Sequence, residues 1–373
     1  MGLTSDGVLA VAVLSAVLLF AGTIGLWPRL ARRSWGAVTG RAGLLLATQL
    51  VLFAAVGLAA NRAFGFYASW ADLFGQEREQ GVVVDHTPGR GPLRVVGSRH
   101  VPGAAGDPAT AGRIERVDVV GRTTRIASPA YVYLPPEYFQ PRHRTRTFPA
   151  AVVLTGYPGT ASALVDKLHY PRTALESARA GRTRPMILVM LRPTVAPPRD
   201  TECVDVPGGP QTESFFAKDL PDALRGHYRV AGNPGGLGIV GNSTGGYCAL
   251  KIALHHPGVY GAGAGLSAYY TAPIDATTGD LFQGDEALRH RADLWWYLGH
   301  RPAPDTSLLV TTSKKGESNY RDTLRFIDRV KGTGRTRISS IVLESGGHNF
   351  NTWRREIPAA LEWLDERLNG PRK

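Results

Sequence analysis

The chain has 373 residues, of which 43% are hydrophobic and 20% charged, and its 43 Lys and Arg outnumber 31 Asp and Glu for a net charge of +12. That length suits one large domain with an appendage. The positive charge is diffuse and forms no stripe interleaved with aromatic residues, which argues against nucleic acid as a partner.

Residues 7–28 contain no charged side chain and are dominated by Val, Leu and Ala; residues 42–61 form a second uncharged run. Each reaches the roughly 20 residues needed to cross a hydrocarbon core. Between them lie Arg29, Arg32, Arg33 and Arg41. The positive-inside rule assigns that loop to the cytoplasm and everything after the second span to the outside. Trp27 and the cluster Phe64, Phe66, Tyr67 and Trp70 suit interfacial aromatic belts. A cleaved signal peptide fits less well, because Asp6 stands where a basic segment belongs and a second span follows. Residues 1–75 are therefore expected to be a transmembrane hairpin, and the protein a multi-pass membrane protein. Residues 76–112, rich in Gly, Pro, Arg and Ala without a sustained period, read as an extracytoplasmic tether.

From 113 to 373 the pattern is globular. Residues 117–120 and 131–134 alternate like antiparallel strands, and Pro135-Pro136 stops the second. Short apolar runs at 150–154, 186–191, 237–240, 307–311 and 339–343 suit strands buried on both faces of a parallel sheet. Helical periodicity appears at 216–228, 247–255, 320–330 and 357–368. Alternating strand and helix predicts an α/β fold with a mostly parallel central sheet, whose site lies at the carboxyl ends of the strands. The segment 271–301, with Trp295-Trp296-Tyr297, reads as a cap, either packed on the sheet or lining an acyl pocket.

Gly241-Asn242-Ser243-Thr244-Gly245 follows the strand at 237–240 and opens the helix at 247–255. This is G-x-S-x-G in strand-turn-helix context, the pattern of a nucleophile elbow in an α/β-hydrolase. A serine needs a base. His348 follows the last predicted strand, on the same sheet edge as Ser243, whereas His255 and His256 end the nucleophile helix at the opposite edge. The base needs an orienting carboxylate between the two in chain order. Glu317, in the loop after the strand at 307–311, is the candidate, with Asp322 as the fallback. For the oxyanion hole the expected donors are the backbone N–H groups of Thr244 and Tyr157; Pro158 has none. Cys203 and Cys248 form a disulfide in an oxidising compartment or remain two separate buried thiols. The acidic stretch 199–205, with Asp200 and Glu202, would border the site and either reads substrate or holds its own loop. The glycine-rich 232–236 precedes a strand, so it is no dinucleotide loop. There is no P-loop and no His-Glu-x-x-His, and adjacent histidines suit a shared metal poorly, so no metal or cofactor is expected.

Three segments carry a resemblance: Tyr131 through Tyr138, Gly241 through Gly246, and Gly346-Gly347-His348-Asn349-Phe350 followed by Trp353. From about Arg113 onward the chain resembles the esterase D family, which includes S-formylglutathione hydrolases, feruloyl-type esterases and the secreted mycolyltransferases of mycobacteria. Its two-span start is similar to membrane-tethered members in actinobacteria. The likeness implies Ser243 as nucleophile, His348 as base, Glu317 as acid and Tyr157 as the first oxyanion donor. Thr155-Gly156 departs from the family's usual His-Gly or Asp-Gly before that donor. The expectation is a membrane-anchored, extracytoplasmic serine esterase. It would hydrolyse a small-molecule, lipid or cell-wall ester through an acyl-enzyme. The alternatives are an acyltransferase delivering the acyl group to a sugar or lipid alcohol, and a non-catalytic wall-associated scaffold.

Overall fold

A computed structural model describes residues 6–31, 34–64, 91–104, 106–195, 199–232 and 235–368. The chain divides into two units, residues 1–80 and 81–373.

The first unit is a pair of helices, α1 (Asp6–Leu30) and α2 (Trp35–Phe64). Each contains an apolar stretch long enough to cross a membrane, 24 residues in one and 27 in the other. Leu14, Leu18, Phe20, Leu46, Leu50 and Phe53 are exposed, as suits lipid-facing side chains. Between the helices, Thr23 Oγ1 lies 3.1 Å from Thr48 Oγ1. Helix α2 begins seven residues before the uncharged run expected at 42–61. Its start is set by Ser34, whose Oγ accepts from the Ala37 N–H at 3.2 Å, and a cap of that kind is invisible to hydropathy. Phe66, Tyr67, Trp70, Arg32 and Arg33 lie outside the described residues.

The second unit is built on a nine-stranded sheet in the order β1-β2-β3-β5-β4-β6-β7-β8-β9. The strands are β1 (Leu93–Arg99), β2 (Arg113–Val120), β3 (Ala127–Leu134), β4 (Ala150–Leu154), β5 (Ile187–Leu191), β6 (Leu237–Asn242), β7 (Ala262–Leu266), β8 (Ser307–Ser313) and β9 (Arg337–Leu343). From β5 through β9 neighbouring strands are parallel, while β1, β2 and β3 add antiparallel pairs at one side. The main helices are α3 (Ala161–Asp166), α4 (Tyr170–Arg179), α5 (Leu220–His227), α6 (Thr244–His255), α7 (Glu286–Ala292), α8 (Leu294–His300), α9 (Tyr320–Lys331) and α10 (Phe350–Arg367). This is the α/β arrangement the alternating pattern predicts.

The continuous apolar runs have the expected cause. Val152 and Ile239 point into one core with Phe215 and Leu250. Their chain neighbours Val153 and Val240 point into a second core with Tyr170 and Leu361. Both faces are covered, so every side chain of β4 is buried.

Several elements depart from the sequence reading, three of them for a clear physical reason. The stretch expected to be a tether over 76–112 contains β1, paired antiparallel with β2 from Leu93↔Val119 to Arg99↔Ile114. As an edge strand with one buried residue, Leu93, it carries almost no apolar signal. Strand β7 has no counterpart among the expected strands because its sequence is Ala-Gly-Ala-Gly-Leu. A Cβ on Gly263 would stand 2.6 Å from Ala253 Cβ and 2.7 Å from Ala249 O. The strand is small because α6 presses on it, and small residues erase the β-branched signature. Helix α10 begins at Phe350, one full turn and more before 357, because Asn349 accepts from the N–H groups of Asn351 and Thr352. Pro358 inside the helix hid the continuity.

In the segment 271–301, Trp295 packs on Tyr270 and Phe326 with ring centroids 5.5 and 5.4 Å away. It is a packing residue.

Candidate active site

Parallel register fixes where the site lies. Ala150 pairs with Leu237 and Leu154 with Gly241, so β4 and β6 end together. The turn after β4 therefore meets the turn after β6, and a Cβ on Gly156 would stand 2.9 Å from Ser243 Cβ.

Ser243 occupies φ 55°, ψ −123° between β6 and α6. A side chain rarely adopts this conformation, and such strain persists only where the surroundings impose it. Here the Ser243 N–H donates to Leu266 O on β7, and Ser243 O accepts the Tyr247 N–H of α6, both at 3.0 Å. Gly245 has no room for a side chain, since its Cβ would lie 2.3 Å from Thr155 O. The elbow thus needs glycine for close approach to the neighbouring strand.

His348 lies in the loop from β9 to α10. Its Nε2 is 2.9 Å from Ser243 Oγ, and its Nδ1 is 3.4 Å from Glu317 Oε2. Glu317 leaves β8 in the loop before α9. Its side chain is 1% exposed against 48% for His348, so the acid end is dry and the base end open. Asp322 is on the exposed face of α9, paired with Arg325, and the histidine is not among its partners.

Behind the acid runs a set of contacts that sequence reasoning missed. Ser267, just after β7, donates from Oγ to Glu317 Oε1 at 2.7 Å. Trp353 Nε1 donates to the same Oγ at 2.9 Å. The Ser267 N–H donates to Thr311 Oγ1 at 3.0 Å, and Thr311 Oγ1 donates to Glu356 Oε2 at 2.8 Å. Glu356 is fully buried. Burial, reinforced by the nearby Glu317 charge, pushes its carboxyl up to about 8. Ser267 carries no sequence signal because β7 shows no apolar run, and Trp353 stands out only as part of the motif after Gly346.

The turn after β4 carries Tyr157, half-buried, with Gly156 between it and Ser243. Thr244, the first residue of α6, is buried. Its Oγ1 lies 3.1 Å from Tyr269 Oη and 3.5 Å from Asp200 Oδ2. Tyr269 Oη donates to Glu202, at 2.7 Å from Oε1 and 2.6 Å from Oε2. Burial raises Asp200 to about 6, and burial with the Asp200 charge raises Glu202 to about 8. Both acids are engaged inside the protein. Glu202 and Cys203 sit in the left-handed region at φ 48° and 51°. A disulfide joins Cys203 to Cys248 on α6 across a Cα separation of 5.7 Å. Lys251 Nζ, also on α6, donates to the carbonyl oxygens of Glu202 and Cys203 at 3.2 and 2.6 Å. The loop beside the elbow is thereby tied to the elbow's own helix.

His255 and His256 end α6 away from the site. Their Nδ1 and Nε2 lie 3.0 and 2.8 Å from Glu213 Oε1.

Both the sequence and the fold match known proteins. Residues 124–364, well over half of the chain, match the Esterase family. An uncharacterized protein of Corynebacterium glutamicum is 22% identical over 273 residues, covering 70% of this chain and 63% of that protein. The MPT51/MPB51 antigen of Mycobacterium tuberculosis is 32% identical over 77 residues, 21% of this chain and 25% of the antigen. The chain thus spans less than two-thirds of the length of these relatives. Among solved structures, a ferulic acid esterase superposes with a TM-score of 0.59 at 18% identity, over 69% of this chain and 99% of that one. The S-formylglutathione hydrolase of Agrobacterium tumefaciens gives 0.57 at 18% identity, over 74% and 100%. With its mostly parallel sheet, its strained serine and its family match, the chain belongs to the Esterase family and has the α/β-hydrolase fold.

Proposed function

We propose that the chain is a membrane-anchored carboxylic ester hydrolase, with its catalytic unit outside the cytoplasm and a Ser243-His348-Glu317 triad. The observation that carries the triad is the 2.9 Å separation of Ser243 Oγ and His348 Nε2, with a buried carboxylate on the far side of the ring. The anchor rests on two apolar helices of sufficient length, and the orientation on the arginines of the loop between them.

In this mechanism the Ser243 hydroxyl donates its proton to His348 Nε2 as Oγ attacks the ester carbonyl. The imidazolium that forms is held by Glu317, which accepts from Nδ1–H. Their 3.4 Å contact gains strength as positive charge develops on the ring. The N–H groups of Thr244 and Tyr157 receive the oxyanion, and α6 points its N-terminus at the same place. His348 then protonates the departing alcohol. Water, activated by the same ring, releases the acyl group from Ser243. The exposed half of His348 leaves a path for that water. The substrate is a small-molecule, lipid or cell-wall ester.

A fluorophosphonate probe tests this directly. Label on Ser243 of the membrane-extracted protein, lost in His348→Ala, is the expected result. A folded sample without label would remove the triad. For topology, protease added to intact cells should release the domain; full protection would reverse the orientation.

A further inference from the structure

We infer that Ser267 and Trp353 are positioning residues for the triad. A directional chain of hydrogen bonds, Trp353 to Ser267 to Glu317, fixes one carboxylate oxygen so that the other faces His348. The inference rests on the triad reading above and goes beyond it, since neither residue touches the reacting atoms.

The direction of the chain follows from donor inventory. An indole N–H can only donate, so Trp353 Nε1 occupies an acceptor site on Ser267 Oγ at 2.9 Å. The hydroxyl proton is then free to point at Glu317 Oε1, 2.7 Å away. A carboxylate held this way by one oxygen cannot rotate to share both oxygens with the ring, and Oε2 is left to His348 Nδ1. A charge-assisted bond of this length is among the stronger kinds. Trp353 acts twice, because its ring also stands edge-on to the imidazole, centroids 5.2 Å apart at 86°. One side chain therefore backs the base and feeds the acid.

The backbone supports the same reading. Ser267 is at φ 48°, a region that glycine occupies more readily. A purely structural turn here would be served better by glycine. A serine kept in strain indicates that its hydroxyl is used. The Ser267 N–H is anchored independently on Thr311, so the turn does not need Oγ to hold its shape. The other titratable group near the acid is Glu356, whose Oε2 is engaged by Thr311. Burial raises its carboxyl to about 8, so at neutral pH it adds little charge beside Glu317.

Ser267→Gly separates positioning from folding. Glycine suits the φ, keeps the N–H to Thr311 and removes the hydroxyl with its single carbon. Trp353→Phe keeps an aromatic ring near His348 and removes the N–H together with part of the indole. The readout is the rate of fluorophosphonate labelling of Ser243 across pH, with p-nitrophenyl acetate turnover as a second probe, on full-length protein in detergent. Expected results are an unchanged melting temperature for Ser267→Gly and a labelling rate lowered about tenfold in each variant. The double variant should be no slower than the slower single one, because the residues act as one unit. The acid limb of the rate profile should move to lower pH in Ser267→Gly, since an imidazole whose anionic partner has swung away loses its proton more readily. A purely structural role would lower the labelled fraction without moving that limb. Label on the wild-type protein with an unchanged rate and limb in Ser267→Gly would overturn this inference and leave the triad standing. No label on wild-type Ser243 would remove both.

Discussion

The two ends of helix α6 treat buried carboxyl groups in opposite ways. At its rear, Glu213 meets Lys251 at 3.4 Å, His255 at 3.0 Å, His256 at 2.8 Å and Arg291 at 2.5 Å. Burial alone would push Glu213 up. The Lys251 charge and the two histidine bonds outweigh it and hold the carboxyl well below the usual carboxylate range. At the front, beside Ser243, Asp200 and Glu202 are equally buried, but hydroxyl and amide donors serve them in place of cations. Both are raised, to about 6 and about 8. The lesson concerns desolvation. An acid taken out of water either acquires enough positive charge to stay ionised, or is pushed toward its protonated form and uses its oxygens for hydrogen bonds. The rear is an ionic anchor for the helix. The front is a hydrogen-bonded wall in which Glu202 is protonated at neutral pH while Asp200, at about 6, keeps most of its charge. Glu317 belongs to neither type, with one neutral donor on one oxygen and one histidine on the other.

The largest expected effect comes from breaking that third type. Glu317→Gln should lower kcat by about 10⁴-fold, the scale seen when a triad acid becomes an amide, while Asp322→Asn leaves turnover unchanged. The assay is p-nitrophenyl ester hydrolysis, and the reverse ranking would move the acid to Asp322. Next is the rear. Glu213→Gln strands a buried Lys251 with too little counter-charge and should cost about 3–5 kcal/mol in urea unfolding. A loss below about 1 kcal/mol would mean that Lys251 is served by the carbonyls of Glu202 and Cys203 alone. Third is the tie between loop and helix. Replacing Cys203 and Cys248 with alanine opens a closed loop of sequence separation 45 and should cost about 2–4 kcal/mol, read by thermal melting with and without reductant.

The smallest effect carries the clearest sign. Glu202 and Glu356 are raised from 4.5 to about 8, so their contributions to stability are complete below about pH 4.5 and are lost as pH climbs through 8. Asp200 behaves likewise between 3.8 and about 6. Glu213, depressed, contributes above about pH 4.5 and loses that contribution on acidification. Stability should therefore decline from pH 5 toward pH 9. Glu202→Gln should flatten that decline, gaining about 1 kcal/mol at pH 9 relative to wild type. Melting curves across this range decide it, and a wild-type profile that rises with pH would show the front acids ionised.

Much of the proposed site was legible in the sequence because each member of the proposed triad leaves a strand at the sheet's carboxyl edge. Ser243 follows β6, Glu317 follows β8 and His348 follows β9, and both β6 and β8 read as apolar runs. The supporting contacts were not legible for an equally physical reason. Ser267 depends on β7, whose alanines and glycines are small because α6 lies against them. Tyr269 and Glu202 meet only through tertiary packing across 67 residues, a distance no local pattern spans. Hydropathy likewise found the apolar hairpin, yet missed the start of α2, which a serine cap sets.

Both sulfurs of the Cys203–Cys248 bond are fully buried. An oxidant can reach them only while the loop is still away from α6, so the bond is a record of the chain's manufacture. A preparation made without an oxidant would hold the same loop by hydrogen bonds, those of Lys251 and Tyr269 among them. Two batches of identical sequence could then differ in how firmly Thr244 is seated, and a mass measurement that counts two hydrogens would tell them apart before any assay is run.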